Sequence, residues 1–93
     1  MVGAANLGAD CAVFEAVHGS APDIAGKNLA NPTALLLSAV MMLQHLDERP
    51  AADRIMRGLG AVLTDGRTRT RDVGGSSTTS EFADAVARAV DAV

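Results

Sequence analysis

Residues 13–46 read VFEAVHGSAPDIAGKNLANPTALLLSAVMMLQHL: an apolar strand, a loop of glycine, proline and polar residues, and a long apolar helix. A strand that empties into a glycine-bearing loop and then a helix start brings free backbone N–H groups and the positive end of a helix dipole to one place. That arrangement suits an anion or a nucleotide. Within the loop, Gly19, Ser20 and Ala21 put small residues where a ligand must approach backbone. His18 offers a ring edge and a hydrogen bond, and Asn31 offers an amide that both donates and accepts.

The elements on either side follow from local signals. Residues 11–17 form a short apolar run with Glu15 in its middle, bounded by glycines, and that length fits a buried strand. Asn31 and Pro32 open the first helix, with asparagine as N-cap and proline in the first turn, where its missing N–H costs nothing. From residue 33 to 46 apolar side chains lie almost all round, which marks a core helix or an oligomer-interface helix. The Met41-Met42 pair reads as core packing.

A charged turn, Asp47-Glu48-Arg49-Pro50, precedes a second helix over residues 51–64, with Ile55, Met56, Leu59, Val62 and Leu63 at helical spacing. Gly58 and Gly60 weaken it by up to about 1 kcal/mol each relative to alanine. Asp65-Gly66 ends it, glycine being the natural left-handed C-terminal residue. Residues 68–73 then read as a short strand, along which Arg67, Arg69 and Arg71 alternate. Gly74-Gly75-Ser76-Ser77 is a flexible loop, and Thr78 with Glu81 three residues on is a capping-box signature for a last helix. Phe82, Val86, Ala89, Val90 and Val93 give that helix one apolar stripe. Residues 1–10 are small and glycine-rich, as in a loop, and Met1 reads as a truncation point or an unusual start.

Ninety-three residues make one small domain that buries roughly 60–65% of its unfolded surface. A composition 48% hydrophobic and 20% charged excludes a disordered chain, and only Phe14 and Phe82 are aromatic, so the core is aliphatic. A net charge of −3 without a broad basic face argues against nucleic acid. The single cysteine, Cys11, cannot form an internal disulfide and reads as a buried apolar residue, which fits a cytoplasmic or otherwise reducing setting. The longest apolar run, residues 34–43, is far short of the roughly 20 residues a membrane span needs.

The run His18-Gly19-Ser20-Ala21-Pro22-Asp23-Ile24-Ala25-Gly26-Lys27, followed by Asn31-Pro32-Thr33-Ala34, resembles the adenosine-binding loop of the isocitrate and isopropylmalate dehydrogenases, the metal-dependent β-decarboxylating dehydrogenases. The resemblance continues through Asp72-Val73-Gly74-Gly75 and Thr78-Thr79-Ser80-Glu81-Phe82. It covers nearly all of this chain and only about the last quarter of such an enzyme. The implied fold class is α/β: the helix-rich C-terminal portion of that fold, a single partial domain over residues 1–93, with three helices and one or two short strands.

What the resemblance implies for the site is an NAD-binding half. Glu15, His18, Gly19, Ser20, Ala21, Asp23, Ile24 and Asn31 match the family's cofactor-binding positions. Asp23 carries the most information: a carboxylate accepts from both hydroxyls of an adenosine ribose and repels a 2′-phosphate, the logic that separates NAD from NADP sites on other folds. NADP-using members usually carry a lysine-tyrosine pair where this chain has Asp23-Ile24. Glu15 either orients the nicotinamide side or is simply a polar residue facing out of a strand. Apart from the motif, a lone histidine such as His18 is usually structural, and His45 keeps that reading.

No catalytic residue is expected in this chain, which has no tyrosine and only one lysine, Lys27, in the adenosine loop. The family's Mg2+ or Mn2+ is implied for the full enzyme, but Asp10 and Asp72 show no paired spacing and no metal ligand is assigned here. The expected parent function is NAD-dependent oxidative decarboxylation of a 2-hydroxy acid, isocitrate ahead of 3-isopropylmalate on the character of the tail. The chain alone should be inactive. The alternative is a non-catalytic interaction or oligomerisation module, and the expected partners are NAD and either a second copy or a larger dehydrogenase chain, with neither nucleic acid nor membrane.

Overall fold

The computed structural model describes residues 2–92. Met1, and Val93 of the expected apolar stripe, lie outside them. Two strands, β1 (Gly3–Leu7) and β2 (Ala12–Ala16), pair antiparallel as a hairpin, with Ala5 opposite Phe14 at the centre. Three helices follow: α1 (Thr33–His45), α2 (Arg49–Asp65) and α3 (Thr79–Ala92). The elements stand in a row: both strands against α1, α1 against α2, and α2 against α3. The result is a plate of 42 × 34 × 16 Å. Its radius of gyration, 13.9 Å, exceeds the about 12 Å expected of a compact chain this long.

A plate has little interior. Leu59 and Val62 of α2 and Phe82 and Val86 of α3 form the core cluster, with Leu36 and Leu37 of α1 packed against it. Long apolar side chains elsewhere remain in solvent, including Leu7 at 68%, Leu35 at 62% and Leu46 at 60% exposure. Of the two expectations for α1, a core helix or an oligomer-interface helix, the core reading therefore holds on one side only. Its buried residues are Thr33, Ala34, Ser38 and Val40, with Gly3 of β1 coming close at Ser38, whereas Leu35 and Met42 face outward. Met42 is thus no core residue.

Four further expectations change. Residues 3–7 are a strand, not loop, and the turn from Gly8 to Cys11, closed by the Gly8 N–H on the Cys11 carbonyl at 2.8 Å, leaves Cys11 exposed. β2 is covered on one face: Ala12, Phe14 and Ala16 are half-buried while Val13 and Glu15 are exposed. Residues 68–73 are not a strand. Arg69 instead turns back to donate through Nε and Nη2 to the Leu63 carbonyl at 2.9 and 2.5 Å, satisfying an orphan acceptor at the C-terminal end of α2. Arg71–Val73 then form a single 3-10 turn.

The end of α2 and the start of α3 follow their sequence signals, whereas the N-cap position of α1 falls on Pro32, one residue after the expected Asn31. The carbonyl of Pro32 accepts the first α1 bond from Leu36, and the Asn31 side chain accepts from the Thr33 N–H at 2.9 Å. Gly66 ends α2 at φ 79°. The capping box of α3 is reciprocal, Thr78 N–H to Glu81 Oε1 at 2.9 Å and Glu81 N–H to Thr78 Oγ1 at 3.2 Å.

The two glycines of α2 have opposite roles. A Cβ on Gly58 would stand 2.7 Å from Val90 Cγ2 and 2.9 Å from Val90 N, so α3 packs there only because the side chain is absent. A Cβ on Gly60 would meet nothing within 4 Å. Gly60→Ala should therefore stabilise by about 0.5–1 kcal/mol through helix propensity, and Gly58→Ala should destabilise by about 1–2 kcal/mol as overpacking outweighs that gain. Urea midpoints of the two variants check this, and two shifts of the same sign would contradict it.

Candidate functional site

The loop between β2 and α1 is built from consecutive turns. Ile24 N–H bonds the Ala21 carbonyl at 3.0 Å across Pro22-Asp23, with proline at the position a turn favours. Lys27 N–H bonds the Ile24 carbonyl at 3.1 Å across Ala25-Gly26, and Gly26 at φ 77° takes the left-handed position that this second turn requires. The loop curls over an open cleft of about 840 Å³ between itself, the start of α1, the 3-10 turn and the start of α3. Residues from all four of those segments line it.

Six of the eight expected site residues come together there: His18, Gly19, Ser20, Ala21, Ile24 and Asn31. Glu15 and Asp23 lie outside the lining. Glu15 is exposed on β2, accepting from Asn6 Nδ2 at 3.4 Å, and Asp23 is exposed in the first loop turn. His18 Nδ1–H donates to the Gly19 carbonyl at 2.7 Å. A carbonyl can only accept, so Nδ1 carries the proton and Nε2 of the neutral ring is an acceptor. His45 is not among the residues that line the cleft, and its ring meets Phe14 at a tilt of 53°, centroids 5.5 Å apart.

The structure adds residues that the loop motif does not contain. Arg71, Asp72 and Thr79 line the cleft from the C-terminal part of the chain, and Asn28 and Ala30 from the loop itself. Asp72 is the organiser. It accepts from Asn31 Nδ2 at 3.1 Å and from Thr70 Oγ1 at 2.5 Å, and Asn31 Oδ1 in turn accepts from the amide and hydroxyl of Thr33. Thr70, fully buried, anchors this pair to the core. The chain Thr70–Asp72–Asn31–Thr33 thereby fixes the start of α1 against the 3-10 turn, and α1 brings the positive end of its dipole to the cleft through Asn31 and Ala34. Among the described residues no group of three or more metal-ligating side chains converges, and no helix is long and apolar enough to cross a membrane.

Two carboxylates are tuned. Burial pushes the Asp72 carboxyl up, but the hydrogen bonds from Thr70 and Asn31 outweigh it and hold the group below its ordinary 3.8. The Thr78 amide, then the Thr78 side chain, hold Glu81 below its ordinary 4.5. A carboxylate whose pKa is lower folded than unfolded adds stability above the unfolded value and loses it as pH falls through the folded one. The urea midpoint should therefore hold down to about pH 5 and decline from there towards pH 3. Glu81→Gln, which keeps the capping oxygen but does not titrate, should flatten part of that decline. A midpoint unchanged between pH 5 and pH 3 would contradict this account.

With the cleft described, comparison with known proteins identifies its class. Residues 1–86 match the family described as isocitrate/isopropylmalate dehydrogenase. The chain is 58% identical over 83 residues to isocitrate dehydrogenase (NAD) subunit 2, mitochondrial, of Kluyveromyces lactis, covering 88% of this chain and 23% of that protein. It is 55% identical over 85 residues to the isocitrate/homoisocitrate dehydrogenase of Thermus thermophilus, covering 91% of this chain and 25% of that protein. The crystal structure of isocitrate dehydrogenase from Methylococcus capsulatus superimposes with a TM-score of 0.89 at 47% identity, over 95% of this chain and 26% of that one. The chain belongs to the isocitrate/isopropylmalate dehydrogenase family. It spans about a quarter of the length of the curated relatives it matches.

Proposed function

We infer that the cleft holds the adenosine half of NAD, and that the chain serves this role within a dehydrogenase that oxidatively decarboxylates a 2-hydroxy acid, isocitrate foremost. The observation that carries this reading is the convergence of His18, Gly19, Ser20, Ala21, Ile24 and Asn31 on one cleft. The cleft fits the group: apolar Val17, Ile24, Leu29 and Ala34 offer surface for a flat base, and small residues leave the loop backbone open to approach. His18 Nε2 and the Asn31–Asp72 pair supply polar edges. Bound NAD would supply the hydride acceptor. This chain's residues bind and orient it, while the 2-hydroxy acid, the Mg2+ or Mn2+ and the proton-transferring groups belong to the rest of the enzyme.

Ile24, in the cleft lining, and Asp23, exposed in the turn beside it, set nucleotide choice in this reading. The double variant Asp23→Lys with Ile24→Tyr replaces a carboxylate that repels a 2′-phosphate with a cation that attracts it. Its preference should move from NAD towards NADP by about tenfold or more, equivalent to about 1.4 kcal/mol. Calorimetric titration with both nucleotides measures the ratio, and an unchanged ratio would contradict the assignment.

A second reading rests on the exposed apolar side chains of β1, β2 and α1, among them Leu7, Val13 and Leu35. Surface of that kind is covered by association, with a second copy or with a larger dehydrogenase chain. The setting is a reducing compartment, cytoplasm or the mitochondrial matrix, the latter matching the mitochondrial relatives. A concentration-dependent mass in solution tests the association.

A further inference from the structure

The loop that forms one wall of the cleft has no buried side chain between residues 18 and 30; Ile24 and Leu29 are only half-buried. Among the described residues it is hydrogen-bonded to the rest of the molecule through two of its members alone. The Asn28 carbonyl accepts from the Thr79 N–H at 2.8 Å. Its Oδ1 accepts from the Ser80 N–H at 3.1 Å and the Ser80 hydroxyl at 3.0 Å. The Ala30 carbonyl accepts from Thr79 Oγ1 at 2.5 Å. These bonds join positions some fifty residues apart in sequence.

The start of α3 needs them as much as the loop does. A helix leaves its first backbone N–H groups without internal partners. The capping box satisfies Glu81 N–H, and Phe82 N–H reaches the Thr78 carbonyl at 3.0 Å, but Thr79 and Ser80 N–H fall to Asn28. Asn28 sits at φ 59°, a left-handed conformation in which asparagine is among the few side chains found routinely. Backbone conformation and side-chain acceptor are thus both specified at one residue. Asn28, Ala30 and Thr79 all line the cleft, so the bonds that close the helix end also join two walls of the site.

We propose that Asn28 is a positioning residue, a latch that uses the N-terminus of α3 to hold the loop of residues 18–30 in its nucleotide-binding shape. It acts through Gly19, Ser20 and Ile24 and not by touching the base. A loop that spends only a fraction of its time in the competent shape weakens binding by that fraction, so cutting the latch should raise the apparent Kd while the core stays folded.

The test uses the full chain and three variants. Asn28→Gly keeps the left-handed backbone and the carbonyl bond to Thr79 but removes the side-chain acceptor that serves Ser80; Asn28→Asp keeps the backbone and a side-chain acceptor; Ser80→Ala weakens the latch from the helix side without touching the loop. Backbone amide order parameters are measured without nucleotide, and NAD affinity by titration. The expected result for Asn28→Gly is a fall in order parameters across residues 19–27 and an about tenfold higher Kd, with Val86 and its neighbours unchanged. Asn28→Asp should restore both readouts, and Ser80→Ala should fall between. Unchanged loop order parameters in Asn28→Gly, or an Asn28→Asp variant as mobile and weak as Asn28→Gly, would overturn the latch. The affinity readout rests on the cleft being the nucleotide site, and the order parameters do not. A wild-type chain that ignores NAD would count against the site, and the order parameters would then decide the latch by themselves.

Discussion

Gly75→Ala is expected to destabilise the chain by about 3 kcal/mol or more, at or beyond the upper end of ordinary overpacking. A Cβ at Gly75 would lie 1.9 Å from the Arg69 carbonyl oxygen and 2.4 Å from its carbon. These are backbone atoms, so no side-chain rotation relieves the overlap. The crossing is fixed from both directions, because Gly75 N–H bonds the Thr70 carbonyl at 3.0 Å and Ser77 N–H bonds the Arg69 carbonyl at 2.9 Å. Moving Arg69 away would pull its guanidinium from the Leu63 carbonyl and shift Thr70 and Asp72 with it. The substitution should therefore lower Tm by about 12 °C or more for a domain of this size. It should also perturb the amide of Asn31 across the Asp72 bond. A Tm within a few degrees of the wild type would show that residues 69–77 do not cross as described.

Phe82→Ala should be equally damaging, and its contrast with Phe14→Ala is as informative as its size. The two residues are the chain's only aromatics. Phe82 is 0% exposed and sits among Leu59, Val62 and Val86, where α2 and α3 meet the inner face of α1. Truncating it loses the transfer energy of the ring and leaves a cavity, a cost of about 3–5 kcal/mol. Phe14 is half-buried on β2 with its ring against the exposed His45, and its truncation should cost only about 1 kcal/mol. Chemical denaturation of both variants gives the comparison. Equal costs would mean that the hairpin, and not the α2–α3 junction, carries much of the stability.

The parts of the fold that were readable in the sequence are those decided locally. Asn31-Pro32, Gly66 and the Thr78–Glu81 box mark helix ends because each supplies a hydrogen bond or a backbone conformation by itself. What could not be read was decided by distant partners. GAANL, residues 3–7, has no strand-like alternation of apolar and polar residues. It is extended because Gly3 lets it cross α1, a Cβ there standing 2.7 Å from Ser38 N. Residues 67–71 alternate arginine and threonine as a strand would. Their bonding is nevertheless taken up by the end of α2, through Arg69, and by Asp72, through Thr70.

The site divides in the same way. The loop motif names His18, Gly19, Ser20, Ala21, Ile24 and Asn31 because they are contiguous or nearly so. Arg71, Asp72 and Thr79 enter the cleft from some forty residues away, and their only sequence signal was the continued family resemblance around Asp72 and Thr79. Asn28 lies between the two runs of the motif, and its role depends on Ser80, to which nothing local points.

The most direct test of the central claim is an amide NMR titration of the chain with NAD and then NADP. The account predicts a dispersed spectrum, with shifts concentrated at His18, Gly19, Asp23 and Asn31 and extending to Asn28 and Asp72, larger for NAD than for NADP. A dispersed spectrum that responds to neither nucleotide would contradict it, leaving the exposed apolar faces of α1 and the hairpin as the functional surface.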